Sequence, residues 1–186
     1  MTPRAPRRVV LTGPESTGKS ELARALARRF DTECAPEFVR GYAAARDNVL
    51  VLADHGPIAD GQMAGEDEAA DRAAARGAPV VFLDTDLVST ALYCEHYYGV
   101  CPPWLEARAR ERRADLYLLL DVDVPWVPDP VRDRGDRRAE LLDQFRAWLD
   151  RLDARWELVR GGWEAREARA TALVESLLEE SVGRRV

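Results

Sequence analysis

Eight residues near the start of the chain, Gly13-Pro14-Glu15-Ser16-Thr17-Gly18-Lys19-Ser20, match the spacing G-x-x-x-x-G-K-[ST] in full. That spacing serves phosphate chemistry. Backbone N–H groups of the glycine loop and the positive end of the following helix surround the phosphates of a nucleotide such as ATP, the lysine bridges β and γ oxygens, and the last hydroxyl ligates Mg²⁺. We therefore take Gly13, Pro14, Glu15, Ser16, Thr17, Gly18, Lys19 and Ser20 as the nucleotide-binding segment, running on to position 21, which is Glu21, with Ser20 also a metal ligand. Composition singles out the lysine independently: of 27 basic residues, Lys19 is the one lysine and the rest are arginine. Arginine presents a planar fork, lysine a compact ammonium, so a position that keeps lysine against this bias requires the compact shape.

The loop needs a strand before it and a helix after it. Arg8–Thr12 is β-branched and apolar, and Leu22, Leu26 and Phe30 recur four apart as on one helix face. Further strands are expected at Thr32–Ala35, Pro79–Leu83, Leu116–Val122 and Trp156–Val159, with helices over 138–153, 163–181 and, from its alanine content, 59–76. Strands alternating with helices predict an α/β fold of the P-loop kinase type, a parallel sheet flanked by helices, in one domain over 1–186 with its core at about 7–181. With 186 residues, 46% of them apolar, a net charge of −6 and no apolar run of membrane-spanning length, the chain reads as a soluble cytoplasmic protein without nucleic-acid or membrane partners. Cys34, Cys94 and Cys101 are odd in number and form no CxxC pair, which suits a reduced compartment. The arginines at 108, 110, 112 and 113 alternate with Glu106 and Glu111 and read as a solvated helix face. His96 stands near Cys94 and Cys101, but no fourth ligand is paired with them at the spacing of a zinc site, and Asp54-His55-Gly56-Pro57 reads as a turn.

A motor ATPase pairs a carboxylate with the Mg²⁺-binding Asp, yet Asp84 is followed by Thr85; a GTPase reads guanine with a second lysine, and none exists. Phosphoryl transfer to a small molecule remains, and it calls for carboxylates at strand ends and arginines on a lid. Glu37 follows the second strand and Asp84 ends the third, at the carboxyl ends of the strands, which in an open parallel sheet face the ligand crevice. One of them orients the acceptor hydroxyl or takes its proton, and Asp84 joins Ser20 as a candidate Mg²⁺ ligand. Three prolines at 125, 128 and 130 stiffen a lid over about 124–138, which carries Arg132 as the cation for the transferring phosphate. Arg137 and Arg138 open the next helix, and one of the two is expected to be merely solvated.

Taken together, GPESTGKS at 13–20, Glu37-Phe38-Val39-Arg40-Gly41-Tyr42, Asp84-Thr85-Asp86, Tyr97-Tyr98-Gly99, Asp115-Leu116-Tyr117-Leu118 and Asp123–Asp129 followed by Arg132 resemble the ribosylnicotinamide kinase domain of bacterial NadR proteins. The resemblance implies transfer of the ATP γ-phosphate to the 5′-hydroxyl of nicotinamide riboside, with Lys19, Glu37, Asp84 and Arg132 catalytic. It implies a substrate pocket of Glu37, Arg40, Tyr42, Asp86, Trp126 and Asp129. Gly41 and Pro130 depart from the family's common acidic residue and glycine. The indole of Trp126 is expected to face the pyridinium ring, with stacking and cation–π attraction of about 0.5–2 kcal/mol. A kinase for another nucleoside or small hydroxyl compound, and a nucleotide-switched binding module without catalysis, are the alternatives; the oligomeric state is not readable.

Overall fold

The computed structural model describes residues 5–125 and 137–183. Five strands form one parallel sheet: β1 (Arg7–Thr12), β2 (Cys34–Ala35), β3 (Val80–Asp84), β4 (Leu116–Leu120) and β5 (Trp156–Val159). Their order across the sheet is β2-β3-β1-β4-β5. Among the described residues, seven α-helices connect and flank them: α1 (Lys19–Arg29), α2 (Phe38–Ala44), α3 (His55–Ala75), α4 (Leu87–Tyr98), α5 (Pro103–Glu111), α6 (Arg138–Arg151) and α7 (Trp163–Gly183). A parallel sheet needs both faces covered, and its strands show it: β3 and β4 are buried throughout.

Side chains alternate between two cores as the pleat dictates. Val10, Leu83, Tyr117 and Leu119 enter one core with Leu92, Phe145 and Trp148, while Val9, Leu11, Phe82, Leu118 and Leu120 enter the other with Leu22, Leu26 and Val174. Burying each such side chain contributes roughly 1.5–3 kcal/mol, so the sheet centre is the rigid platform on which the loops at the strand ends are held. Leu11 pairs with Asp84 across β1 and β3, which sets the phosphate-loop strand beside the strand-end carboxylate.

The expected strand at 156–159 is observed with those bounds, and the helix expected at 138–153 ends at Arg151. Two expectations are corrected. The segment read as a turn at 54–57 is helical: a 3₁₀ turn at Leu52–Asp54 runs directly into α3, whose third residue is Pro57, in the first turn where the missing N–H costs nothing. The expected four-residue β2 is two residues long, and Thr32 instead uses its hydroxyl to bond the Val80 carbonyl at 2.5 Å. Among the described residues no helix is long and apolar enough to cross a membrane. Arg108, Arg110 and Arg113 lie on the exterior as expected, Arg108 pairing with Asp60 at 2.7 Å, whereas Arg112, just past the end of α5, is half-buried and corrects that expectation: it pairs with Asp67 at 2.5 Å and with the buried Glu66 at 3.3 Å.

Candidate active site

Between β1 and α1 the chain turns through Gly13 at φ 128°, Ser16 at 53° and Gly18 at 86°. Gly13 is there by necessity. A Cβ on it would stand 2.9 Å from the Leu120 carbonyl oxygen, and its φ is one that side chains rarely adopt. Gly13→Ala is expected to cost about 2 kcal/mol and lower Tm by roughly 4–8 °C, read by a thermal melt against wild type.

The loop's carbonyls are taken up by side-chain donors. The Thr17 hydroxyl donates to Pro14 O at 2.9 Å, and Lys19 Nζ, almost fully buried, donates to Gly13 O and Pro14 O at 2.9 and 2.7 Å. From outside, Arg166 of α7 donates to Thr17 O at 2.6 Å, Gly161 O at 2.8 Å and Asp121 O at 2.8 Å, and pairs with the Asp123 carboxylate. Arg138 donates to Val124 O at 3.0 Å and Ser16 O at 3.3 Å. With these acceptors engaged, what the loop offers an anion is its N–H groups and the N-terminus of α1. The contrast between the two neighbouring arginines is settled: Arg137 pairs with Glu140 on the surface, and Arg138 is the buried one.

Asp84, at the end of β3, is 5% exposed, bonded to the Ser20 hydroxyl, and its Oδ1 has no hydrogen-bond partner. Burial pushes its carboxyl above the usual range, and the nearby Glu37 pushes the same way against Ser20, Lys19 and Arg40. An orphaned, buried carboxylate oxygen beside a serine hydroxyl is the hard-oxygen set that Mg²⁺ takes, so the two residues present fit that ion. Thr85 follows at φ 66°, an unusual conformation for a β-branched residue, held by its N–H to Leu11 O at 3.0 Å.

A cavity of about 480 Å³ opens from Gly13 and Lys19 and continues past Glu15, Glu37 and Arg40 to a wall of Tyr93, Tyr97, Tyr98 and His55. Glu37 precedes the first turn of α2 and pairs with Arg40 at 3.2 Å. Tyr93 donates its hydroxyl to Glu15 Oε2 at 3.2 Å; burial and that carboxylate hold the phenol well above its ordinary pKa. Tyr93 and Tyr97 stack with centroids 6.1 Å apart.

Of the residues expected at the site, Glu15, Lys19, Glu37 and Arg40 line this cavity. Two other expected pocket residues lie elsewhere. Tyr42 donates to Asp54 Oδ1 at 2.8 Å with Arg46 stacked 3.6 Å over its ring, and is absent from the cavity lining. Asp86 caps α4 by accepting from Val88 N at 3.0 Å and takes the Tyr117 hydroxyl at 2.7 Å; burial pushes its carboxyl up to about 7. Both side chains are turned to structural partners that spacing could not reveal. Trp126, Asp129 and Arg132 lie outside the described residues. Glu15's pairing with Tyr93, the His55 wall and the Arg166 brace were missed, because each contact joins residues distant in sequence.

This fold and this loop define an α/β protein of the P-loop kinase type. The chain belongs to the AAA_28 family, whose model, described as an AAA domain, matches residues 8–166. It is homologous to NadR: it is 36% identical over 140 residues to the trifunctional NAD biosynthesis/regulator protein NadR of Salmonella typhimurium, covering 72% of this chain and 33% of that protein. The Escherichia coli protein of the same name is 36% identical over 133 residues, covering 69% and 32%. The chain thus spans about a third of the length of these curated relatives. Among solved structures, a NadR protein in complex with NR superposes with a TM-score of 0.78 at 22% identity, covering 93% of this chain and 51% of that one. A NadR protein in complex with NAD and AMP-PNP gives 0.74 at 24%, covering 94% and 50%. Thymidylate kinase from Ehrlichia chaffeensis gives 0.67 at 12%, covering 91% and 100%, a likeness of fold.

Proposed function

We propose that this protein transfers the γ-phosphate of ATP to the 5′-hydroxyl of nicotinamide riboside, giving nicotinamide mononucleotide and ADP. The observation that carries the reading is a cavity in which Lys19 and Gly13 of the phosphate loop meet Glu37, Arg40 and a tyrosine wall. A hydrolase needs room for water beside the phosphate; a lined cavity of about 480 Å³ beside it is room for an organic acceptor. Glu15 and Glu37 give that cavity two carboxylates and the tyrosines give it ring faces, a combination suited to a ring that bears positive charge. The homology to NadR and the fold shared with the NadR–NR complex support the same acceptor.

In this mechanism the riboside 5′-oxygen forms a bond to the γ-phosphorus as the bond to the bridging oxygen of ADP breaks. The hydroxyl proton passes to Glu37, the strand-end carboxylate that lines the cavity. Lys19 faces the charge that develops on the transferring group. Ser20 and Asp84 would hold Mg²⁺, which when bound neutralises phosphate charge. The lid carrying Arg132, Trp126 and Asp129 belongs to the proposal on its sequence alone.

The test is a panel of ribosides incubated with ATP and the purified protein, with ADP as readout. ADP formed with nicotinamide riboside and at least about 10-fold less with uridine, cytidine, adenosine or thymidine is the expected result. Turnover with another member in preference assigns the alternative nucleoside kinase. ADP release that ignores the acceptor, or none at all, refutes acceptor phosphorylation.

A further inference from the structure

Of the two carboxylates that the proposed reaction uses, Asp84 ends β3 and Glu37 lies beyond the end of β2 at the start of α2, and the sheet does little to fix their spacing. β2 pairs with β3 only at Cys34↔Phe82 and Ala35↔Leu83, so the backbone has left the ladder before it reaches Glu37. Asp84 ends β3 and is followed by Thr85 in its left-handed conformation. One side chain reaches both segments. Gln62, in the middle of α3 and 3% exposed, accepts from the Phe38 backbone N–H with Oε1 at 3.0 Å and donates with Nε2 to the Thr85 carbonyl at 3.3 Å. The same Nε2 donates to Glu66 Oε1 at 3.2 Å.

The orientation of that amide is determined by its surroundings. Its NH₂ faces a carbonyl and a carboxylate, which only accept, and its oxygen faces an N–H, which only donates. Glu66 is itself held on its other oxygen by Arg8 at 2.5 Å and Arg112 at 3.3 Å. Gly61 permits the approach: a Cβ there would fall 2.2 Å from a ring carbon of Phe38, so the glycine lets α2 lie against α3 with the Phe38 N–H in reach of its neighbour Gln62.

We propose that Gln62 is a positioning residue, whose amide ties the segment carrying Glu37 to the segment carrying Asp84 and so sets the spacing between the proton acceptor and the phosphate end of the site. The proposal rests on the kinase reading above. Gln62 borders the same cavity, but its amide is engaged by the backbones that carry these groups, and it belongs to a buried chain of contacts running from Arg8 and Arg112 through Glu66. A misplacement of this kind is felt in the rate of the bound complex more than in nucleotide affinity.

The experiment compares wild type, Gln62→Met and Gln62→Glu by steady-state kinetics and by amide hydrogen exchange at Phe38. Gln62→Met, of similar length without the amide, is expected to lower kcat about 10- to 30-fold with KM for ATP within about twofold, and to speed Phe38 exchange at least about 10-fold. Gln62→Glu still accepts from Phe38 but opposes a carboxylate to Glu66 and the Thr85 carbonyl until it takes up a proton, which then donates. Its kcat relative to wild type therefore rises as pH is lowered from 8 to 6, whereas that of Gln62→Met stays flat. An unchanged kcat and unchanged Phe38 exchange in Gln62→Met overturn the proposal, as does a Gln62→Glu ratio that ignores pH. If Gln62→Met does not fold, the Gln62→Glu titration alone decides. The exchange arm needs no acceptor: if no riboside is turned over but Phe38 exchange still depends on Gln62→Met, the substrate reading falls and the tie stands, while equal exchange removes the tie for any substrate.

Discussion

Lys19→Ala is expected to lower kcat at least ~10²-fold, because it removes the cation aimed at the transferring phosphoryl group. Lys19→Arg is expected to fail by a similar factor. The ammonium sits inside the turn of its own loop, bonded to Gly13 O and Pro14 O, and is 7% exposed. A guanidinium is wider, planar and carries its donors in a fixed fork, so it does not fit where a compact three-donor charge does. A chain that uses arginine for every other basic position gains nothing from a single lysine unless this site demands it. Single-turnover rates with saturating ATP and riboside check both variants. Activity of Lys19→Arg within about threefold of wild type contradicts this account of the lysine.

Glu37→Gln carries the second large effect. Losing a general base typically costs 10²–10⁴-fold, and glutamine keeps the size while giving up the proton acceptor, so kcat is expected to fall by at least ~10²-fold with KM for ATP nearly unchanged. Asp84→Asn separates the two carboxylates. Burial disfavours the charge on Asp84, so neutralising it leaves Tm unchanged or raised, while the Mg²⁺ concentration for half-maximal rate rises about 10-fold. Magnesium titrations of wild type, Glu37→Gln and Asp84→Asn check this: a shifted midpoint in Asp84→Asn only is expected. Equal shifts in both variants contradict the division of roles.

How much of this was legible in the sequence depends on the range over which each signal acts. The phosphate loop was readable whole, since its strand, glycines, lysine and helix are contiguous and each supplies its own local cue. β5 was readable because Trp156–Val159 is a short segment, apolar but for Glu157, between turns. α4 was not singled out as a helix because it is buried on most sides, through Leu87, Val88, Ser89, Ala91, Leu92 and Cys94, and so shows no one-sided apolar stripe. α3 began earlier than expected because His55-Gly56-Pro57 carries turn composition, although proline is tolerated in a first helical turn. At the site, chain-local residues were found and cross-chain partners were not. Arg166 braces Thr17 across 149 positions, and in a chain so rich in arginine nothing marks it. Asp86 shows the converse: its motif neighbours Asp84, yet its side chain caps a helix and takes a tyrosine hydroxyl from β4.

If one cavity brings the phosphate loop to the 5′-hydroxyl of a riboside, the fate of a labelled γ-phosphate reports it directly. The protein is incubated with γ-labelled ATP and either nicotinamide riboside or its 5′-deoxy analogue, and the products are separated. Label in nicotinamide mononucleotide from the first, stoichiometric with ADP, and none in organic product from the second, is the expected result. Label released only as inorganic phosphate, or equal ADP formation with the 5′-deoxy compound, would contradict it.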